Sequence, residues 1–327
     1  MKSQISAAVA LSLCWNSMAA ATECGMNVGW IHNDTGTITY QAPTGVPSLF
    51  YTSKMAINTD GNPRSYHPSD PRGERLALNN MGNGIKGIFK RLGGKYIGCT
   101  PRRGDCYERY ISTFEAARDS NYNPRTSWVT TYGIIPWQRD INLKRDIPCT
   151  FQTGKYAGYF ISQTAYPLYD GDECDARRYL DAMVFNANVL PNETHWESQG
   201  IVTDGFDLVA VYDEIRQKVV FGINGDRGPK DSIGEVSVAM AANMQGKSLT
   251  GTETYEDGIL PLALPQVHYL IFPKVDIKKL KGRDFTQQEI NEIGATALDE
   301  WGGLERLKAC LRNETAVAPR KRANSKR

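Results

Sequence analysis

Short β-prone runs closed off by Gly, Pro, Asn or Asp clusters recur along most of this chain, and they constrain its fold more than any other feature. The clearest are GTITYQ (36–41), YAGYFISQTAY (156–166), DLVAVYD (207–213), KVVFGI (218–223) and VHYLIFP (267–273). Many short strands separated by turn signals predict a mainly β domain. DLVAVYD and KVVFGI flank the turn-like EIRQ, so a hairpin is expected across 207–224. The periodicity changes near the end. Residues 286–311 open with Thr286 and Glu289 in capping-box spacing and set Ile290, Ile293, Ala297, Leu298 and Trp301 on one stripe. C-terminal helices are therefore expected, divided at Gly302-Gly303. Residues 85–148 show no clear period over most of their length and read as an inserted, disulfide-stapled segment.

The chain is 327 residues long and 41% apolar, enough for a full core. Residues 1–21 combine Lys2, the apolar run from Ile5 to Leu13 and Ala19-Ala20-Ala21, the pattern of a secretory signal peptide. The reading divides the chain into that leader, a single domain over 22–313 and a basic tail over 314–327. With Cys14 removed, six cysteines remain, an even number that suits an oxidising compartment. Cys99–Cys106 is the expected local bridge, and other pairings stay open. No later run reaches the roughly 18 apolar residues of a membrane span. A secreted protein, extracellular or periplasmic, and a monomer, is the expectation. The formal charge of +2 hides a tail with five basic residues in RKRANSKR; without those and Lys2 the body is 38 − 1 − 5 = 32 basic against 36 acidic. Such a body is not suited to nucleic acid.

The chemistry concentrates in VVFGINGDRGPKDSIGEVSVAMA (219–241). Asp226 ends a strand-like run and Glu235 follows nine residues later, about 30 Å away if the chain were extended. Gly228-Pro229 favours a reversal that brings both carboxylates to one cleft. Such a pair serves glycosidic cleavage, one carboxyl protonating the leaving oxygen while the other activates water or attacks carbon. From spacing alone the plainer explanation is favoured, a turn aspartate and a glutamate in the first turn of a helix.

This segment resembles the signature of the chitosanases of glycoside hydrolase family 75, a strand into Gly-Asp, a short turn, then Gly-Glu-x-Ser. LFYTSKMAINTDGNPRSYHPSDPRG (49–73), GYFISQTAY (158–166), YLDAMVFNANVLPN (179–192), GFDLVAVYD (205–213) and VHYLIFP (267–273) resemble further segments of that family in the same order, covering about 46–275 apart from 85–148. The chain departs from the family where Ala56 and Asn58 stand in place of common aspartates and Thr59 in place of a cysteine, while Asp60 is kept. The resemblance implies a six-stranded barrel, with the double-psi type as its candidate form. It implies a secreted endo-acting hydrolase of β-1,4 bonds in an amino-sugar polymer, acting by inversion with Asp226 and Glu235 as the essential pair. Glu235 is assigned as acid, on its neighbours Ile233, Val236 and Val238, and Asp226 as base; the opposite assignment stays open. Asp60, Tyr66, His67, Asp181, Asp207 and Ser237 are candidate substrate-binding residues, and Trp137, Tyr166 and Trp196 candidate stacking platforms. This chemistry requires neither a metal nor an organic cofactor. The expected partner is a polysaccharide, chitosan or peptidoglycan, and the alternatives are a muramidase-like enzyme or a non-catalytic glycan-binding relative.

Overall fold

The computed structural model describes residues 23–317 apart from 34, 43, 93–94, 100–105, 132, 192–199, 201, 230–232 and 276–284. Thirteen strands and five α-helices are defined among them. The first strands are β1 (Asn27–Ile31), β2 (Ile38–Gln41) and β3 (Leu49–Asn58), and the central region holds α1 (Met81–Gly84), β4 (Ile85–Leu92), β5 (Lys95–Cys99) and α2 (Cys106–Asp119). β6 (Ser127–Thr131), β7 (Trp137–Asp140), β8 (Arg145–Pro148), β9 (Ala187–Pro191), β10 (Leu208–Asp213) and β11 (Lys218–Gly228) follow. The chain continues through β12 (Glu235–Ser237), α3 (Val238–Gln245), β13 (Leu264–Phe272), α4 (Gln287–Trp301) and α5 (Gly303–Val317).

Six strands close into a barrel in the order β3-β12-β9-β11-β10-β13, with β13 pairing back onto β3. The expected hairpin is β10–β11, antiparallel, with Leu208 opposite Ile223 and Asp213 opposite Lys218. Two pairings are parallel, β9 with β11 and β3 with β12, so the chain crosses between them. Alternation fills the interior: Leu49, Tyr51 and Met55 of β3 meet Val209, Val211, Leu190, Val236, Tyr269 and Ile271. Burying each such side chain is worth roughly 1.5–3 kcal/mol.

The second core lies in the central region. Tyr110, Ile111 and Phe114 of α2 pack with Met81, Ile85, Ile135, Phe160 and the fully buried Tyr66. β4, β5 and β6 form a separate three-stranded sheet beside it. The segment expected as a strand over 156–166 is not one. It makes a single bridge, Phe160 to Thr150, because Gly154 and Gly158 take positive φ and interrupt a ladder.

The described residues form two compact units. The larger runs from Met26 to Trp301 and contains the barrel; the smaller comprises the described residues of Met1–Gly25 and Gly302–Arg327. In the larger, the capping box of α4 forms as expected, with the Thr286 N–H donating to Glu289 Oε2 at 2.9 Å and the Glu289 N–H to Thr286 Oγ1 at 3.2 Å. Ile293 of the expected stripe is only half-buried, and Gly294 takes the innermost place, where a Cβ would lie 2.5 Å from the Phe221 ring. In the smaller, Cys24–Cys310 joins the two chain ends. A second disulfide, Cys149–Cys174, lies in the larger unit. The expected Cys99–Cys106 bridge concerns two side chains that the structure does not describe, and the leader over 1–21 and the last residues of the tail lie outside the described residues. No described helix is long and apolar enough to cross a membrane.

Candidate active site

The site begins with two glycines. At Gly225 a Cβ would lie 2.8 Å from the Ala187 side chain and 2.9 Å from Leu180, so β11 can cross β9 this closely only without a side chain there. At Gly234 the φ is +89° and a Cβ would fall 2.4 Å from the Lys54 carbonyl oxygen. That conformation lets its own carbonyl accept from the Ala56 N–H at 2.7 Å and delivers the chain into β12 beside β3. Each carboxylate follows one of these glycines.

Register then brings the pair together. Asp226 of β11 and Glu235 of β12 both stand opposite Val189 of β9, on its two sides. Their backbones are therefore two strand spacings apart, about 10 Å, and residues directly paired across a pleated sheet point to the same face. On its other flank Glu235 is paired with Ala56. Its ladder neighbours are thus Val189 and Ala56, whereas Ile233, Val236 and Val238 belong to the interior core. Glu235 stands in a strand; the helix begins only at Val238, capped by Ser237.

Asp226 is held by three donors. Its Oδ1 accepts from the backbone N–H groups of Ala165 at 2.7 Å and Arg227 at 2.8 Å, and Asn58 Nδ2 approaches Oδ2 at 3.5 Å. These bonds favour the charged form, while desolvation opposes it more strongly. The net effect raises Asp226 to about 6. Asn58 presents an amide at this point, and an amide can donate where a second carboxylate would repel.

Asp60 completes a cluster of three carboxyls. It is 9% exposed; Oδ1 accepts from the Tyr66 hydroxyl at 2.9 Å and from the Ser162 hydroxyl at 3.4 Å. Burial first, then the charges of Asp226 and Glu235, push it up to about 8. Asp60 and Asp226 line one cavity with Asn58, Thr164, Val189 and Ser237, among others, with room for about 20 Å³, the scale of a single water. A larger concavity of about 330 Å³ over Val46, Val275 and α4 has only Glu292 and Glu300 as ionisable groups and does not include these carboxyls. Among the described residues no three His, Cys, Asp or Glu side chains are placed to hold a metal ion together.

The other expected substrate contacts have internal partners. Tyr66 is fully buried, its hydroxyl on Asp60. His67 Nδ1 accepts from the Ser69 N–H at 3.0 Å, and its ring meets Tyr159 edge-on at 4.5 Å. Asp181 takes the Asn62 amide at 2.5 Å and the Met183 N–H at 2.9 Å. Asp207, buried, accepts from the backbone of Asp204 and Lys274. Ser237 shares the Glu235 side of the strand, but its hydroxyl donates to the Phe185 carbonyl and accepts from the N–H groups of Ala187 and Met240, so it locks strand to helix. Tyr166 carries Arg227, whose Nε donates to its hydroxyl at 2.9 Å. Trp137 packs edge-on against Tyr122 at 5.5 Å, and Trp196 lies outside the described residues. Sequence reading missed Ser162 and the Ala165 amide, whose roles depend on a loop folding over Asp226.

Among known proteins, no family model and no curated protein matches this chain.

Proposed function

We propose that the chain is an endo-acting glycoside hydrolase that cleaves β-1,4 bonds of an amino-sugar polymer with inversion. The observation that carries this reading is the pairing of Asp226 and Glu235 on either side of Val189. Inverting enzymes hold their carboxyls roughly 6.5–9.5 Å apart to admit a water, whereas retaining ones need about 5–5.5 Å. Two strands separated by a third favour the wider spacing.

The environments distribute the roles. Asp226, with two backbone N–H groups and an amide on it, is the base that takes a proton from water; the water oxygen bonds to the anomeric carbon as the C–O bond breaks. Glu235, between Ala56 and Val189, gives its proton to the leaving oxygen. The family resemblance of the Gly-Asp and Gly-Glu segments supports the same pair. Within the six-stranded barrel, the parallel pairings β3–β12 and β9–β11 support the double-psi form. Two disulfides suit an extracellular protein.

A specific observation also favours peptidoglycan as the polymer. The positions beside the pair are uncharged, Ala56 next to Glu235 and Asn58 next to Asp226, and Arg227 at the end of β11 is exposed, so these flanks add no further negative charge to attract a polycation.

The test is release of reducing ends from chitosan and from intact and N-deacetylated peptidoglycan, with Asp226→Asn and Glu235→Gln as controls. Each substitution is expected to lower kcat by about 10²–10⁴. Activity that survives either one refutes the assignment, and binding to a polymer without cleavage replaces the enzyme reading with the glycan-binding one.

A further inference from the structure

Thr164 brings an uncommitted polar group to the site. It is 8% exposed, and its hydroxyl is buried with no hydrogen-bond partner among the described residues. Buried hydroxyls are nearly always hydrogen-bonded, so one without a protein partner points to an ordered water or a ligand. The backbone on both sides of it is fixed: the Gln163 N–H donates to the Ile134 carbonyl at 2.8 Å and the Ala165 N–H to Asp226 Oδ1 at 2.7 Å. The Thr164 methyl packs on Gly61, where a Cβ would lie 3.1 Å from Cγ2, and a β-branched side chain has few χ1 positions. With the methyl there, the hydroxyl stays on the wall of the cavity that Asp226, Asp60 and Asn58 also line, with room for about 20 Å³. Asp226 Oδ1 already carries two N–H donors, whereas Oδ2 takes only the long Asn58 contact at 3.5 Å. The neighbouring hydroxyls are committed, that of Ser237 to Phe185, Ala187 and Met240 and that of Ser162 to Asp60. Asn188, wholly buried on the same wall, faces the Tyr51 hydroxyl.

We propose that Thr164 is a positioning residue that holds a single water in this cavity against Asp226 Oδ2, and that this is the water Asp226 activates. The second half rests on the reading of Asp226 as base. An ionised carboxylate only accepts, so the water donates one hydrogen to Asp226, and the Thr164 hydroxyl donates to the water oxygen. One lone pair of that oxygen remains. As Asp226 takes the proton, an electron pair of the oxygen forms the bond to the anomeric carbon; the glycosidic C–O bond breaks, and the leaving oxygen takes the Glu235 proton. Thr164 keeps its own proton throughout. Its contribution is orientation, and in reactions of this kind a misplacement of about 1 Å can cost on the order of 10²-fold in rate. Substitution at Thr164 therefore acts on the rate through the water rather than on polymer binding.

The experiment compares Thr164→Val, which trades the hydroxyl for a methyl, with Thr164→Ser, which keeps it. On whichever of chitosan and peptidoglycan the wild type cleaves, Thr164→Val is expected to lower kcat by about tenfold or more with KM held within about twofold, and Thr164→Ser to recover most of that loss. Unchanged kcat in Thr164→Val overturns the proposal, because the hydroxyl is then structural only. A rise in KM with kcat kept makes Thr164 a substrate contact and overturns it as well. Equal loss in both variants overturns it too, since the methyl rather than the hydroxyl is then the group that acts. A high-resolution crystal structure reads the water without turnover. One water at about 2.5–3.2 Å from both Thr164 Oγ1 and Asp226 Oδ2 is expected in the wild type and not in Thr164→Val. No water there in the wild type, or one that stays in Thr164→Val, overturns the proposal whatever the activity. A water present and lost as expected, in a wild type inactive on every polymer, instead refutes the hydrolase reading and the use of the water, while the site itself stands.

Discussion

Replacing Asp60 with Asn should change how stability depends on pH, and burial beside two other carboxyls gives the sign. In the folded chain Asp60 is raised from the ordinary carboxylate range to about 8. Between about 4 and 8 the native state therefore holds a proton that the unfolded chain has released, so this group stabilises most at low pH and its contribution is lost as pH rises through 8. One proton corresponds to about 1.4 kcal/mol per pH unit. Two buried histidines work in the opposite direction. His32 and His268 are both lowered to about 4 by burial, so their contribution is present above the unfolded value near 6.5 and is lost as pH falls towards 4. Below about 6.5 the histidines offset the carboxyls; above it Asp60 acts alone among these groups. The wild type should therefore be most stable near pH 6–7 and lose about 2 kcal/mol by pH 8, a Tm change of roughly 4–8 °C. Asp60→Asn should be flat over that interval. The assay is urea or thermal unfolding of both proteins from pH 5 to 8.5. The raised Asp181 and both histidines are common to the two and cancel in the difference. Parallel curves between pH 6 and 8 would refute the reasoning.

Gly234→Ala introduces a Cβ 2.4 Å from a backbone carbonyl at φ +89°. It should cost roughly 1–3 kcal/mol in a urea titration and lower kcat by displacing Glu235. Ser237→Ala removes the cap of α3 together with the bonds to Ala187 and Phe185, for a loss of about 1–2 kcal/mol. If Ser237 instead contacts substrate, KM rises and stability does not move. Opening Cys149–Cys174, a closure over 25 residues, by Cys149→Ala with Cys174→Ala should cost about 3 kcal/mol by chain entropy, read as a lower urea midpoint.

The β10–β11 hairpin was legible because its turn is local and its strands lie wholly within one stretch of sequence. The carboxylate pair was legible as a pair, but its geometry was not, since Val189, which both residues face, precedes Asp226 by many residues and nothing local announces the register. Glu235 was ambiguous for a different reason: three residues of strand running straight into a helix are too few for either period to show. The helix α2 could have been read, since Tyr110, Phe114 and Ala117 repeat at four and three residues and all are buried. Asp60 shows where composition stops being informative. As a sequence position it is an aspartate before a glycine, which a turn explains. Its raised proton affinity comes from burial that only closure of the barrel creates and from the charges of Asp226 and Glu235, against the hydroxyls of Tyr66, placed by a second core, and Ser162, placed by a distant loop, which favour the charged form. Motifs identify the groups that can exchange protons, but which of them holds a proton at a given pH depends on what the fold buries around it. For this chain, the central region acts on the proposed site chiefly through one phenol, Tyr66, held against one carboxyl.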